Sequence, residues 1–214
     1  MLNALQAHLA QIYEIDSGPA IEAFLLSPEQ CAALEGEAGT RAVREKVLIA
    51  ETDEALELGV FVDPDLLQRL HRANPFDDLC DDVLPDLLLA LEGVSHFNYL
   101  VFNSRRETAV SLLELELQAE IDKFVATLFL ADEHGYGDVA DKFLKLLFER
   151  CSFDSALSGQ ERERYVVASR YAARFCRALK LFDSGDHYRS LAELRGFYRL
   201  GRPAKVSRIN ALGH

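Results

Sequence analysis

Between Leu87 and Phe102 the chain is apolar on every side, with polar side chains only at Glu92, Ser95, His96 and Asn98. A turn over 103–108 follows. Ser111–Leu130 then carries Glu116 and Glu120 among leucines. A helix that is apolar all round belongs in a core. An ionisable group there costs free energy unless it is paired. These two stretches therefore set the middle of the fold, and their polar residues are the ones that need explaining.

The first run is shorter than the roughly 20 residues that a bilayer span needs, and it contains Glu92 and His96. It reads as a core helix, so no membrane association is expected. Met1–Gln11 has neither a cationic region nor a long apolar run, so no secretory signal is expected. Cys31, Cys80, Cys151 and Cys176 are scattered, with no close pair. Buried reduced thiols in a cytoplasmic chain follow from that pattern. A chain of 214 residues holds one sizeable core or two small ones.

Taken in order, Leu2, Leu5, Leu9 and Ile12 repeat at helical spacing and predict an opening amphipathic helix. Ser17-Gly18-Pro19 breaks it, and Pro19 suits the first turn of a second helix with Ile21, Phe24 and Leu25 on its apolar face. Ser27-Pro28-Glu29-Gln30 is a capping box for a short helix to about Leu34, and Glu35–Thr40 reads as a loop. Lys46–Thr52 and Leu56–Asp63 are β-favouring runs joined through Asp53-Glu54, a hairpin over 46–63. A hairpin alone is marginal in water, so it needs a third strand, a covering helix or another subunit's edge. Asp63 caps a helix from Pro64 to about Arg72, and Asn74-Pro75 ends it.

The remainder predicts four main helices, Pro85–Phe102, Ser111–Ala131, Asp138–Arg150 and Gln160–Phe182, then two shorter ones, His187–Leu200 and Ala204–Leu212. Gly135-Tyr136-Gly137, Ser158-Gly159 and Ser184-Gly185 fall where bundle loops belong. The fold class is therefore mainly α: a C-terminal helical bundle, 75–214, and a small N-terminal α/β part, 1–74, either separate or one continuous globular unit.

On the first bundle helix, Glu92, Ser95 and Tyr99 share a stripe, and His96 lies one turn from Glu92. Gly93 in a helix interior marks close approach of another helix. On the second, Glu120 shares a stripe with Leu117 and Phe124 and is expected in the core, with Glu116 at its edge. Three readings compete for the cluster. The leading one is a hydrogen-bonded network in which Ser95, Tyr99, Glu116, Tyr165 or an Arg satisfies Glu92, His96 and Glu120. The second is a single divalent transition metal held by Glu92, His96 and Glu120. The third is a buried Glu acting as acid or base. Ferritin-like di-iron bundles pair Glu with His three residues on, in two helices. Here the spacing is four and occurs once, so a di-iron centre is not expected. No GxGxxG, P-loop, HExxH or GxSxG pattern occurs.

The net charge of −12 is unevenly spread. Glu161–His214 holds twelve Lys and Arg against five Asp and Glu, a balance of +7, which leaves −19 for the residues before it. Arg170, Arg174 and Arg177 form one helical stripe, opposite Tyr165, Ala168, Ala172 and Cys176. That stripe is a solvated face or a contact for an acidic partner surface. Nucleic acid is disfavoured, because the whole-molecule field is acidic and repels a polyanion. The resulting expectation is an acidic cytoplasmic binding or assembly protein, a homo-oligomer or one with a protein partner, leaning away from catalysis. A metal-binding bundle or small metalloenzyme is the alternative.

Overall fold

The two central stretches are helices α4 (Leu84–Ser104) and α5 (Leu112–Glu133), packed side by side. The computed structural model describes residues 1–35, 44–51, 56–149, 158–179 and 187–212. The expected loop 35–40 beyond Glu35, the turn Asp53-Glu54, the turn Ser184-Gly185 and Cys151 lie outside the described residues. So do the C-terminal ends of two expected helices, at Arg150 and at 180–182.

The fold is mainly α with one small hairpin. Helix α1 (Leu2–Tyr13) ends where Glu14 turns left-handed at φ 49°. Helix α2 (Pro28–Glu35) starts on the expected capping box. The Ser27 N–H donates to Gln30 Oε1 at 2.8 Å, and the Gln30 N–H donates to Ser27 Oγ at 3.2 Å. Strands β1 (Glu45–Glu51) and β2 (Leu56–Val62) pair antiparallel, with Val47 opposite Val60 and Leu48 opposite Gly59. Helix α3 (Pro64–Arg72) is capped by Asp63, whose carboxylate accepts from the Asp65 N–H at 2.9 Å. After α5 come α6 (Ala140–Leu144), which continues as a π-helical turn over Lys145–Glu149, then α7 (Gly159–Leu179), α8 (His187–Tyr198) and α9 (Arg202–Ala211).

One hydrophobic cluster runs from Leu2 on α1, through Val60 and Val62 on β2, to Ile209 on α9. Helix α5 touches α1, α4, α6 and α7, so its middle has no solvent face. Buried Ala168 and Ala172 on α7 contribute no long side chains to the core, in keeping with the tight packing expected of that face.

The second helix expected after Pro19 is only a 3-10 turn, Ile21–Phe24. Tertiary pairing overrides local preference there. Leu25 bridges Val60 in parallel, and the Leu26 N–H donates to the Val60 carbonyl at 2.8 Å. Leu26 also lies over Gly59, where a Cβ would stand 2.7 Å from its Cδ1. The far edge of β2 is thus partly sealed by this chain, and the face of the hairpin lies on α4. Of the thiols, Cys31 and Cys176 are buried as expected, while Cys80 is exposed. No described helix is long and apolar enough to cross a membrane.

Candidate functional site

Helices α4 and α5 carry two buried polar clusters, and the hairpin contributes to one of them. The first is built on Asp122, which is 1% exposed. Its carboxylate accepts from Ser95 Oγ at 2.6 Å, from Gln118 Nε2 at 2.7 Å and from the Tyr13 hydroxyl at 2.5 Å. Gln118 Oε1 in turn accepts from Lys205 Nζ at 2.6 Å. Lys205 is fully buried, with its ammonium 4.2 Å from the centre of the Tyr99 ring and 5.2 Å from that of Phe197. Burial pushes Asp122 up to about 6 and Lys205 down to about 7. Beside this cluster, Tyr99 donates to Glu114 Oε1 at 2.7 Å. Four helices are thereby bound together through short hydrogen bonds: α1, α4, α5 and α9.

The second cluster contains the residues the sequence singled out, in a different arrangement. Glu92 and Glu120 converge on Lys123, not on His96. Lys123 Nζ lies 3.2 Å from Glu92 Oε2 and also contacts Glu120 Oε1. Burial alone would raise Glu92, but Lys123 and His96 hold its pKa below the usual carboxylate value. Burial prevails at Glu120 and raises it. His96 lies between two other carboxylates, 3.7 Å from Glu116 Oε2 and 4.0 Å from Glu45 Oε1. Arg164 Nε stands 3.5 Å from Glu116 Oε1. Three of these buried atoms, Glu45 Oε1, His96 Nε2 and Arg164 Nε, have no hydrogen-bond partner.

Glu45 is the first residue of β1. Burial and the nearby Glu92 charge push its pKa up to about 8. Burial opposes the His96 cation, yet Glu116, Glu45 and Glu92 together carry it to about 9. Gly93 does mark a close approach, but of the hairpin and not of a helix. A Cβ there would lie 2.9 Å from Glu45 Oε1.

The expected set Glu92, His96 and Glu120 is therefore divided, with Lys123 between the two glutamates. Among the described residues, no three His, Cys, Asp or Glu side chains are grouped to hold a metal ion. Of the expected network residues, Ser95 and Tyr99 belong to the Asp122 side, while Glu116 and Tyr165 belong to the His96 side. The Glu116 charge raises the Tyr165 phenol further, after burial itself. Glu116, at 6% exposure, is more buried than the sequence stripe implied, because α5 is covered on several sides. Glu45, Asp122, Lys123, Arg164 and Lys205 were not anticipated. Only Lys123, one turn from Glu120, was visible locally.

Several of the C-terminal basic groups lie against the body. Arg195 Nε donates to the Ile12 carbonyl at 2.9 Å, and Arg199 donates to the Tyr13 and Glu14 carbonyls at 3.2 and 3.1 Å. These cations meet the unpaired carbonyls at the end of α1, where the helix dipole is negative. Arg174 Nε donates to the Leu212 carbonyl at 2.9 Å, Arg177 pairs with Glu149 at 3.1 Å, and Arg170 is exposed.

The remaining feature is the outer edge of β1. The Asp63 N–H donates to the Arg44 carbonyl at 2.8 Å. Antiparallel pairing alternates from there. Lys46, Leu48 and Ala50 turn their backbone groups toward β2, and Glu45, Val47, Ile49 and Glu51 turn theirs away. The same alternation sends the Val60 carbonyl outward on β2, where Leu26 meets it. Among the described residues no strand pairs with the outer edge of β1. Ile49, at its middle, is 44% exposed. No family model, curated protein or solved structure matches the chain.

Proposed function

We propose that this chain is a non-catalytic cytoplasmic binding or assembly protein that acts by adding a further β-strand to the outer edge of β1. One observation carries the reading: outward-turned backbone groups at Val47 and Ile49, within an apolar run 47–50, beside an exposed Ile49. Exposed strand edges are templates for pairing, and natural proteins usually blunt them with charge, proline or a bulge. The register from Glu45 to Glu51 is unbroken, and Val47–Ala50 holds neither charge nor proline. Strand addition uses such an edge for main-chain bonds and the flanking side chains for selectivity. The buried, reduced thiols Cys31 and Cys176 are in keeping with a cytoplasmic protein.

A fluorescent peptide of residues 44–51, titrated into the protein, tests the reading. Saturable binding is expected, and Ile49→Pro should abolish it. That substitution removes an outward N–H and leaves the β1–β2 ladder intact, a placement tolerated on edge strands. Wild-type protein that does not bind the peptide, or an Ile49→Pro variant that binds it equally well, contradicts the reading.

A further inference from the structure

We infer that the strand added to β1 is β1 of a second copy of this chain, paired antiparallel about a two-fold axis at Leu48. This rests on the strand-addition reading above and names its partner.

The alternation along β1 makes the strand self-complementary at that register. Val47 and Ile49 both turn backbone groups outward. With the axis at Leu48, Val47 of each copy faces Ile49 of the other, so each such pair exchanges two hydrogen bonds. Leu48 then faces its own mate as a pair without backbone bonds, where side chains approach most closely. Leu48 is only half-buried in one copy, opposite Gly59, which offers it no side chain across the strand pair.

Charge points to the same orientation. In sequence the strand carries Lys46 near its start and Glu51 at its end, while Arg44 is held within the chain by Asp86 at 2.7 Å. Antiparallel self-pairing brings the basic end of one copy to the acidic end of the other. Parallel pairing would join like ends, and like charges opposite one another are destabilising. Glu45 is the one residue that would face an acid, Glu51 of the mate. Its carboxyl group is turned inward, against Gly93 and beside His96, and so is withdrawn from the new ladder. The product is a four-stranded antiparallel sheet, β2-β1-β1-β2, in which neither β1 edge remains open. Its two outer edges are the β2 edges, each already contacted by Leu25 and Leu26.

The test is solution mass by light scattering over a wide concentration range, on the full chain. Wild-type protein should shift with concentration from one chain to two. Leu48→Lys and Leu48→Glu should each stay at the mass of one chain, because each sets like charges face to face on the axis. Mixed in equal amounts, the two variants should regain the mass of two chains. Circular dichroism of each variant alone confirms that the helical body is folded, and Ile49→Pro supplies a second block that adds no charge. Wild-type protein that stays at one chain throughout, a dimer indifferent to these substitutions, or variants that fail to re-associate on mixing would overturn the inference. The labelled-strand titration decides the underlying reading separately. A protein that binds the peptide but never itself would keep the open edge and lose the second copy.

Discussion

The helical body and the hairpin treat buried charge in opposite ways. In the body, Asp122 accepts three hydrogen bonds of 2.5 to 2.7 Å, and Lys205 reaches it through Gln118. At the root of the hairpin, Glu45 and His96 stand 4.0 Å apart, and both carry a buried atom with no hydrogen bond. The same two helices, α4 and α5, hold both clusters, so helix chemistry does not explain the difference. Tertiary partners do. Chain ends with defined docking surfaces, α1 and α9, close the first cluster. A two-stranded sheet whose outer β1 edge pairs with no strand among the described residues contributes to the second. Binding elements are commonly drawn from the less stable parts of a fold, and the loosely satisfied anchor lies on β1, the strand proposed above to bind.

The comparison breaks most visibly at Asp122. Asp122→Ala leaves the Ser95 and Tyr13 hydroxyls and the Gln118 amide short of an acceptor. It should cost about 3 kcal/mol or more, as loss of one member of a buried polar set does. Urea unfolding followed by helical circular dichroism measures it. A loss below about 1 kcal/mol would show that the body is no better satisfied than the hairpin.

The pH response should have opposite signs in the two regions. Glu45 and His96 are both raised in the folded state, to about 8 and about 9. Their contribution is fully present below the unfolded values and is lost as pH rises through the folded ones. Lys205 is lowered to about 7, so the folded chain binds fewer protons there than the unfolded chain between about 7 and 10.5, and its contribution grows with pH over that window. From pH 7 to 9.5 the hairpin should open more readily, by about tenfold per unit of pKa difference crossed, while α9 docks more firmly. Amide exchange corrected for intrinsic rates, read separately in β2 and α9, shows both. Parallel changes in the two regions would contradict the contrast.

Smaller effects follow where the partner is already missing or costly to bury. Lys205→Met should cost about 1 to 2 kcal/mol, because the buried Gln118 Oε1 loses its donor while a cation no longer has to be kept in the core. Glu45→Gln should change stability by no more than about 1 kcal/mol, because the Oε1 it alters has no hydrogen bond to lose. It should also flatten the alkaline response of the hairpin. A large loss in either variant, by thermal melting, would mean that the charge itself holds the fold. Gly93→Ala should have the smallest effect. Helix preference gains about 1 kcal/mol, offset by displacement of the Glu45 carboxylate, which is flexible at its end.

Much of the helical frame was legible in the sequence. The apolar runs set α4 and α5 to within a few residues, and Asp63 and the Ser27–Gln30 box cap the helices they were expected to cap. The polar interior was only half legible. Periodicity shows that Glu92, Ser95 and Glu120 turn inward but not what meets them, because their partners come from other helices or another turn. Glu92 and His96 are neighbours on one helix, yet the carboxylates nearest the His96 nitrogens belong to Glu45, from β1, and Glu116, from α5. Lys205 looked like one more cation in a basic tail, since only the docking of α9 buries it. Leu25 read as helix because pairing with Val60, 35 residues away, has no local signal.

The proposed openness of the β1 edge is tested most directly by residue-resolved amide exchange on the Leu48→Lys variant, whose added charge should keep the chain monomeric. Lys46 and Ala50 bond inward to β2, as position 48 does, and their amides should exchange slowly. Val47 and Ile49 turn outward and should exchange fast, and in concentrated wild-type protein they should slow to match their neighbours. Val47 and Ile49 amides as protected in the monomeric variant as those of Lys46 and Ala50 would show that the chain closes this edge itself, and would contradict the account.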